Sequence, residues 1–491
     1  MQILQHTYTK VTEQRGVKRL WLQGLRLEAC GFAKGARYRV DLDADTGRLF
    51  LVLDAFGPRA VSGKQRGERW EPIVDLCNAD VVRLVGDATR VRVDFERGRL
   101  CFSVSHLDRK LAEREARFRR EIESGRLTEG TLCAGIGMAT AALHEGLSTS
   151  GVRSSVSWIV DRERRYLQVA GDNNAAVTDE TVLFEATLEE IEPQLLSPVS
   201  ILQASLPCTG HSPAGKAKNK IVNAEDHRTD ATAVFGFMRV VEATMPSVIV
   251  SENVIPARHS ATYALIRAML ETLDYRLHEI ELGPEQSGAV EVRKRWWLVA
   301  VSKGLPQIDL STVPMFAKHY ANIGTLLEPV GEGDPRWSDN QYLKNKQLRD
   351  AEAGKGFAQR QLVTGESERI GTAGRGYSKR RSTEPMLVRA DGKERLLTPI
   401  ELARAHGAPE SLIAGTSDQV AYEGLGQGID WMQAVGIGQV VARDCIGRVG
   451  ARSTVPTAVD VAGQREGAVR RRVTRELEQI DLFGSGEAVA A

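Results

Sequence analysis

Apolar and polar side chains alternate from the start of the chain to about residue 105. The stretches "RLWLQG", "ARYRVDLDADTGRLFLVLDAF" and "ATRVRVDFERGRLCFSVS" carry a hydrophobic residue at nearly every second position. That is the period of a strand with one face on a core. Asp45-Thr46-Gly47 and Glu96-Arg97-Gly98 interrupt the last two stretches where tight turns would sit. Each hairpin alone is marginal, so the pair predicts a small closed or dimeric barrel. Residues 107–126, "LDRKLAEREARFRREIESGR", hold few apolar positions among many charges, which predicts a solvated connecting helix. From Thr131 the texture changes. "TLCAGIGMATAALHEGL" reads as strand, glycine turn and helix, and "SSVSWIVDRERRYLQVA" as strand, acidic residue and helix. "VSILQASLP" is a strand, "TAVFGFMRVVEATM" a helix and "SVIVSENV" a further strand. This alternation predicts a doubly wound, mostly parallel α/β sheet, in which ligands bind at the carboxyl ends of the strands. The rhythm is lost from residue 303 to about 395, a stretch rich in Gly, Lys, Arg and Asp, and returns at Leu397. A lobe is therefore inserted before the last elements of the sheet. The predicted organisation is a small all-β domain (1–105), a connector (106–127), the α/β domain (128–302), the inserted lobe (303–395), the return of the α/β domain (396–448) and a tail (449–491).

A length of 491 residues agrees with two to four domains. The 65 basic and 64 acidic side chains nearly cancel, so partners have to be argued region by region. Six cysteines stand singly, with no Cys-x-x-Cys pair. Neither a zinc site nor a disulfide framework is suggested, and no metal is expected. The opening "MQILQHTYTK" has no signal-peptide pattern and no apolar run reaches membrane-spanning length. An intracellular protein with reduced thiols is the expectation.

Candidate chemistry gathers at the expected strand ends. In "CAGIGM", Gly135 and Gly137 lie between a strand and a helix, where missing side chains let a backbone approach a ligand. The next strand ends at Asp161, placed to hold ribose hydroxyls, and a third precedes Glu185, placed to accept from an adenine amino group. A glycine turn with two acids on successive strand tips suits an adenosine-containing ligand. The pattern lacks G-x-G-x-x-G and G-K-[ST], which argues against NAD and ATP and leaves S-adenosylmethionine. In "ASLPCTGHSPAGKAK", Cys208 comes just after a strand, Pro207 fixes the backbone before it, and Gly215, Lys216 and Lys218 lie behind it. A buried core cysteine is the ordinary reading. The small, basic loop behind Cys208 favours a thiolate.

Six stretches in order, "TLCAGIGMATAAL", "LPCTGHSPAGK", "SENV", "VEVRKRWWLVA", "TPIELARAHGAP" and "GLGQGIDWMQAVGIGQVVA", resemble the motifs of the DNA cytosine-5 methyltransferase family. The resemblance runs from about Leu127 to Ala442, apart from the inserted lobe. It implies a Rossmann-like, doubly wound methyltransferase domain with an inserted target-recognition lobe. It implies methyl transfer from S-adenosylmethionine to C5 of a cytosine flipped out of duplex DNA. Cys208 then matches the nucleophile that adds to C6, and Glu252 the acid at N3 and the exocyclic amine. Arg293 and Arg295 match the arginines that hold the base. Cys133, Gly135, Ile136, Gly137, Asp161, Glu185, Pro207 and Gln427 match cofactor positions. In the lobe, "RGYSKRR" supplies Arg375, Tyr377, Lys379, Arg380 and Arg381 as candidate DNA contacts. The chain departs from the family pattern at Cys133 (usually Phe), Thr209, Glu291 (usually Gln) and Gln427 (usually Asn). His211 is a candidate second titrating group near Cys208. Two alternatives stay open: transfer to cytosine in tRNA, and a DNA-binding regulator with a degenerate methylase body.

Two further stretches carry short resemblances. "LQGLRLEACGFAKGARYRV" is similar to AbrB/SymE-like swapped-hairpin domains over about 40 residues. That implies binding of DNA or a partner chain, or self-association through the barrel alone. "QIDLF" resembles the bacterial sliding-clamp-binding peptide, with Gln479, Leu482 and Phe483 as its anchors. Together these resemblances imply a bacterial, cytoplasmic, nucleoid-associated enzyme.

Overall fold

The computed structural model describes residues 5–208, 210–211, 228–354 and 360–449. The chain divides into two compact units between Glu113 and Arg114. None of the helices among the described residues is long and apolar enough to cross a membrane.

The first unit holds two antiparallel sheets. One has six strands in the order Gln5–Lys10, Arg90–Glu96, Arg99–Val104, Arg48–Leu53, Arg37–Asp43, Arg59–Ala60. Its core keeps the alternation seen in the sequence: Leu49, Leu51, Val91, Val93, Leu100 and Phe102 are all buried. The two expected hairpins are joined directly, since Arg99–Val104 pairs with Arg48–Leu53. The second sheet has four strands in the order Thr12–Gln14, Val17–Gln23, Arg69–Leu76, Ser62–Arg66. Its hairpin Ser62–Leu76 gave no signal because Ser62–Arg66 has no apolar residue and no buried position. Two expectations are corrected here. Within one chain the first sheet is open, ending at Gln5–Lys10 and Arg59–Ala60, so of the two barrels expected the closed single-chain one does not form. The unit is also not all β, because helices Leu25–Ala29 and Ala79–Val85 interrupt the strands. The second of these helices is capped by the Asn78 side chain, which accepts from the Val81 N–H at 3.1 Å.

The division between units falls inside a helix, α1 (His106–Ser124). It is not the solvated connector that its composition predicts. Arg114, Phe118 and Ile122, spaced four apart, are buried. Arg114 donates to the Leu273 carbonyl at 3.0 Å and to Ser302 Oγ at 2.7 Å. Arg117 donates to the carbonyls of Val199 (2.8 Å) and Met245 (2.5 Å). Arginine stems and hydrogen bonds dock this helix where apolar residues usually do.

The second unit is built on a seven-stranded sheet. In chain order its elements are β1 (Leu127–Leu132), α2 (Met138–Thr149), β2 (Ser154–Asp161), α3 (Arg164–Asn173), β3 (Val182–Glu185), β4 (Ile201–Ala204), α4 (Arg228–Thr244), β5 (Val248–Asn253), α5 (Ala261–Thr272), β6 (Tyr275–Leu282) and β7 (Arg295–Ser302). The spatial order is β3-β2-β1-β4-β5-β7-β6. β1 to β6 run parallel, and β7 turns back antiparallel between β5 and β6. Adjacent tryptophans on β7 serve opposite faces: Trp296 packs into one hydrophobic core and Trp297 into the other. The inserted lobe carries α6 (Gln341–Glu352) and a small sheet of β8 (Gln361–Val363), β9 (Pro385–Val388) and β10 (Glu394–Arg395). The chain then returns through α7 (Pro399–Ala405), α8 (Asp418–Gln427) and α9 (Trp431–Val440). α9 lies against α2 so closely that a Cβ on Gly146 would stand 2.2 Å from the Val435 carbonyl oxygen. Only glycine fits there.

Candidate active site

Strand order reverses between β1 and β4, and such a switch point opens a crevice beyond the strand ends. A cavity of about 1050 Å³ lies there. Most of the sequence-selected residues meet in its wall: Cys133, Gly135, Ile136, Asp161, Pro207, Cys208, Glu252, Arg293, Arg295 and Gln427.

The turn after β1 forms one end. Cys133 (φ 54°), Gly135 (φ 55°) and Gly137 (φ 80°) all adopt the left-handed region. A Cβ on Gly135 would meet nothing within 4 Å, so this backbone faces open space. Gly137 faces inward, where a Cβ would stand 2.8 Å from Asn174 Nδ2, and it is not part of the cavity wall. The Asp161 carboxylate accepts the backbone N–H groups of Gly135 (2.8 Å) and Glu163 (2.9 Å). Burial raises the proton affinity of Asp161 and these donors pull it back. Burial and the nearby Asp161 push the Cys133 thiol well up. Glu185 stands exposed at the tip of β3. The wall beside it is made by Ala186, Thr187, Leu188 and Glu189. Gln427 donates to the Tyr166 hydroxyl at 3.0 Å, and that hydroxyl donates to Glu423 at 2.9 Å.

The other end carries Cys208, Glu252 and Arg295. Cys208 is exposed to the cavity, just past β4. Asn253 ties the exits of β4 and β5 together, donating to the Leu206 carbonyl at 3.2 Å and to the Tyr263 hydroxyl at 3.0 Å. His211 is buried, not solvated, with its ring centroid 6.0 Å from that of Tyr263. Glu252, 7 % exposed, has Arg295 Nε 2.6 Å from its Oε1. The two side chains form a close, buried ion pair. Burial raises the proton affinity of Glu252, against the pull of Arg295 and Arg293. The same burial lowers that of Arg295.

Arg293 behaves differently. It is 1 % exposed, and its Nη2 donates to the carbonyls of Ala373 (3.3 Å), Leu425 (3.4 Å) and Gly426 (2.9 Å). Although it reaches the cavity wall, its hydrogen bonds go to the backbone that frames the site and to the Glu291 carboxylate. Glu291 stands behind it, 3.2 Å from Arg293 Nε and 2.8 Å from His406 Nδ1.

The lobe's basic stretch splits in two. Arg375, Lys379 and Arg381 line the cavity. Tyr377 and Arg380 do not. Tyr377 is fully buried, its hydroxyl donating to the Pro385 carbonyl and accepting from the Leu397 N–H. A side chain so enclosed has no face for a base, which corrects its reading as a DNA contact. Arg380 turns its Nη2 to the Arg336 carbonyl, 3.1 Å away. Gln479, Leu482 and Phe483 lie outside the described residues, as do Thr209, Gly215, Lys216 and Lys218. Sequence reasoning missed Tyr166, Glu423, Asn253, Tyr263 and His406. Tyr166, Glu423 and Asn253 line the cavity themselves while Tyr263 and His406 stand behind it, and only Asn253, beside Glu252 in "SENV", stood inside a quoted motif next to a named residue.

A sequence profile described as C-5 cytosine-specific DNA methylase matches residues 129–443. Among curated proteins, the Type II methyltransferase M1.ScrFI of Lactococcus lactis subsp. cremoris is 26% identical over 307 residues, covering 61% of this chain and 73% of the relative. The Type II methyltransferase M.SsoII of Shigella sonnei is 26% identical over 316 residues, covering 62% and 78%. Among solved structures, the Dnmt2 methyltransferase of S. pombe superposes with a TM-score of 0.53 at 19% identity, covering 65% of this chain and 99% of that one. At that identity the likeness speaks for the fold.

Proposed function

The chain belongs to the C-5 cytosine-specific DNA methylase family and methylates DNA cytosine at C5, and we propose that it does so through a covalent adduct on Cys208. The carrying observation is that Cys208 shares one cavity wall with the Glu252–Arg295 pair. Cytosine C5 is a poor nucleophile. Addition of the Cys208 thiolate to C6 forms the S–C6 bond and moves the ring electrons toward C5 and N3, which makes C5 nucleophilic. Glu252, its proton affinity raised by burial, holds the proton at N3 as that charge builds. Arg295 balances the carboxylate when the proton is shared. Once C5 carries the methyl group, its proton leaves to a base, the C6–S bond breaks, and the Cys208 thiolate departs as the ring is restored. A duplex cannot bring C6 to Cys208 without unstacking, so the target base is flipped into the cavity.

S-adenosylmethionine, when bound, supplies an electrophilic methyl group. The residues at the β1 end fit such a group: an open backbone at Gly135, apolar surface from Ile136, Ala186 and Leu188, and carboxylates at Asp161 and Glu163. The strand order of the sheet supports a Rossmann-like methyltransferase domain, and Arg375, Lys379 and Arg381 support the lobe as its target-recognition part. Two partner proposals stand on sequence. The Gln-x-x-Leu-Phe spacing supports clamp binding by Gln479, Leu482 and Phe483, to be checked by retention on purified clamp against Leu482→Ala/Phe483→Ala. The AbrB/SymE-like stretch supports self-association or DNA binding by the first unit. The central test is DNA containing 5-fluorocytosine. Wild type is expected to form a denaturation-resistant adduct in the presence of S-adenosylmethionine, and Cys208→Ser none. An adduct of equal yield with Cys208→Ser would remove the proposal.

A further inference from the structure

Glu291 does not line the cavity, yet it is buried and held from three sides. Its Oε1 accepts the Ala373 N–H at 2.7 Å, and its Oε2 lies 3.2 Å from Arg293 Nε and 2.8 Å from His406 Nδ1. Its own N–H donates to the Ala405 carbonyl. Glu291, Arg293 and His406 are each 0–1 % exposed. Burial alone would raise the Glu291 carboxyl, but Arg293, His406 and the Ala373 N–H outweigh it and hold it at about 2. Arg293 continues the chain of contacts to Ala373, Leu425 and Gly426.

Three segments distant in sequence converge on the stretch that leads into β7. The lobe segment Ile370–Ala373 runs beside Val290–Val292. The Ile370 N–H donates to the Val290 carbonyl at 3.0 Å, the Val292 N–H to the Ile370 carbonyl at 2.8 Å, and Thr372 Oγ1 to the Val292 carbonyl at 2.5 Å. His406 closes α7, and Leu425 and Gly426 belong to the end of α8. A Cβ on Gly426 would stand 2.3 Å from the Gly374 carbonyl oxygen, so α8 and the lobe have no slack between them. Two residues beyond Arg293, Arg295 meets Glu252.

We propose that Glu291 is a positioning residue that, with His406 and Arg293, couples the inserted lobe to the Arg295–Glu252 pair, so that DNA seated correctly on the lobe sets the chemistry. The inference rests on the function proposed above. It requires the charge at Glu291, because that carboxylate lies directly against both Arg293 Nε and His406 Nδ1. Neither ring nitrogen of His406 has an aligned hydrogen bond among the described residues, and the ring meets Glu291 by close approach, Nδ1 to Oε2 at 2.8 Å.

The test compares wild type with Glu291→Gln, with His406→Gln, with Glu291→Gln/His406→Gln, and with Arg293→Lys, which keeps the cation but removes the guanidinium fork. The substrates are the duplex that wild type methylates best and the same duplex with one flanking base pair changed. Glu291→Gln and Arg293→Lys are expected to lower kcat by on the order of 100-fold, the scale of a small misplacement of reacting groups. They are also expected to bring the kcat/KM ratio between the two duplexes toward one, while KM for S-adenosylmethionine stays put. The double variant, which removes both members of the pair, recovers part of the lost kcat. A lowered melting temperature with kcat and the duplex ratio unchanged would make Glu291 merely structural and overturn the proposal, as would double-variant losses equal to the product of the single ones. Should Glu291→Gln not fold, Arg293→Lys decides by the same two readouts. Absence of methyl transfer by wild type on any duplex would instead strike the function on which the inference stands.

Discussion

The two walls of the cavity were written in different languages. On the sheet side, short motifs mark strand ends, and the side chains they mark meet in space: Cys208 after β4, Glu252 on β5 and Arg295 at the start of β7 all reach one wall. On the lobe side only composition speaks, and it speaks for a segment, not for side chains. Of five residues in "RGYSKRR" chosen for charge or aromaticity, Arg375, Lys379 and Arg381 face the cavity while Tyr377 and Arg380 serve the lobe itself. A parallel sheet fixes where each strand ends, and with it the position of the loop beyond that end. An irregular segment sends neighbours in opposite directions with no period to read.

The sharpest break of this contrast would come from Glu252. Its place at a strand end and its burial cast it as the proton holder at N3. Glu252→Gln is expected to lower kcat by about 10²- to 10⁴-fold with DNA affinity preserved. Because burial raises its proton affinity, the wild-type acid form persists above the ordinary glutamate range and is lost as pH rises through the raised value. The Gln variant should lack that limb of the pH–kcat profile. A Gln variant as fast as wild type would mean that the sheet-side motif marks a structural carboxylate.

Tyr377 tests the lobe side from within. Tyr377→Ala removes a fully buried ring that packs edge-on against Tyr422 at a centroid distance of 5.5 Å. A loss of about 3–5 kcal/mol in unfolding free energy is expected, measured by denaturant titration. Tyr377→Phe loses only the hydroxyl's two hydrogen bonds and should bind DNA as wild type does. Weaker DNA binding by the Phe variant with unchanged stability would restore the base-contact reading.

Much of the catalytic unit was legible for a physical reason. Apolar runs of strand length separated by amphipathic stretches admit few arrangements besides a doubly wound sheet, and glycine and proline placed its turns. The hidden parts had their cause in packing. The second half of α1 docks by Arg114 and Arg117, which in sequence look solvated. The hairpin Ser62–Leu76 hides because its first strand buries nothing. Glu291 read as a departure from a motif, and its meaning needs His406, 115 positions later in sequence yet 2.8 Å away.

Asp430 measures how dry the sheet-side body is. It caps α9, is 1 % exposed, and accepts the Ser287 hydroxyl proton at 2.5 Å. Burial carries its pKa to about 7, against an unfolded value near 3.9. The folded state therefore binds this proton more tightly. Its stabilising share is full below about pH 4 and lost as pH rises through about 7. Asp430→Asn should flatten the fall in melting temperature between pH 5 and pH 8, removing at most on the order of 4 kcal/mol of pH dependence. An unchanged slope would mean that water reaches this carboxylate and that the two walls differ less than their burial indicates.

The smallest effect is the most direct probe of the contrast, because it compares two adjacent arginines. Arg381 lines the cavity, and Arg380 spends its guanidinium on the Arg336 carbonyl. Each alanine substitution removes one positive charge, so a purely electrostatic lobe would feel both equally. If Arg381 reaches a phosphate, Arg381→Ala lowers the slope of log affinity against log salt by about one. Arg380→Ala then leaves that slope alone and costs only the hydrogen bond within the lobe, about 1 kcal/mol of stability. Binding of a short duplex across a salt series separates the cases. Equal changes in slope would show that the lobe acts through net charge and that its geometry selects nothing. A change confined to Arg381 would show that the direction of a side chain, invisible in "KRR", decides which arginine meets DNA.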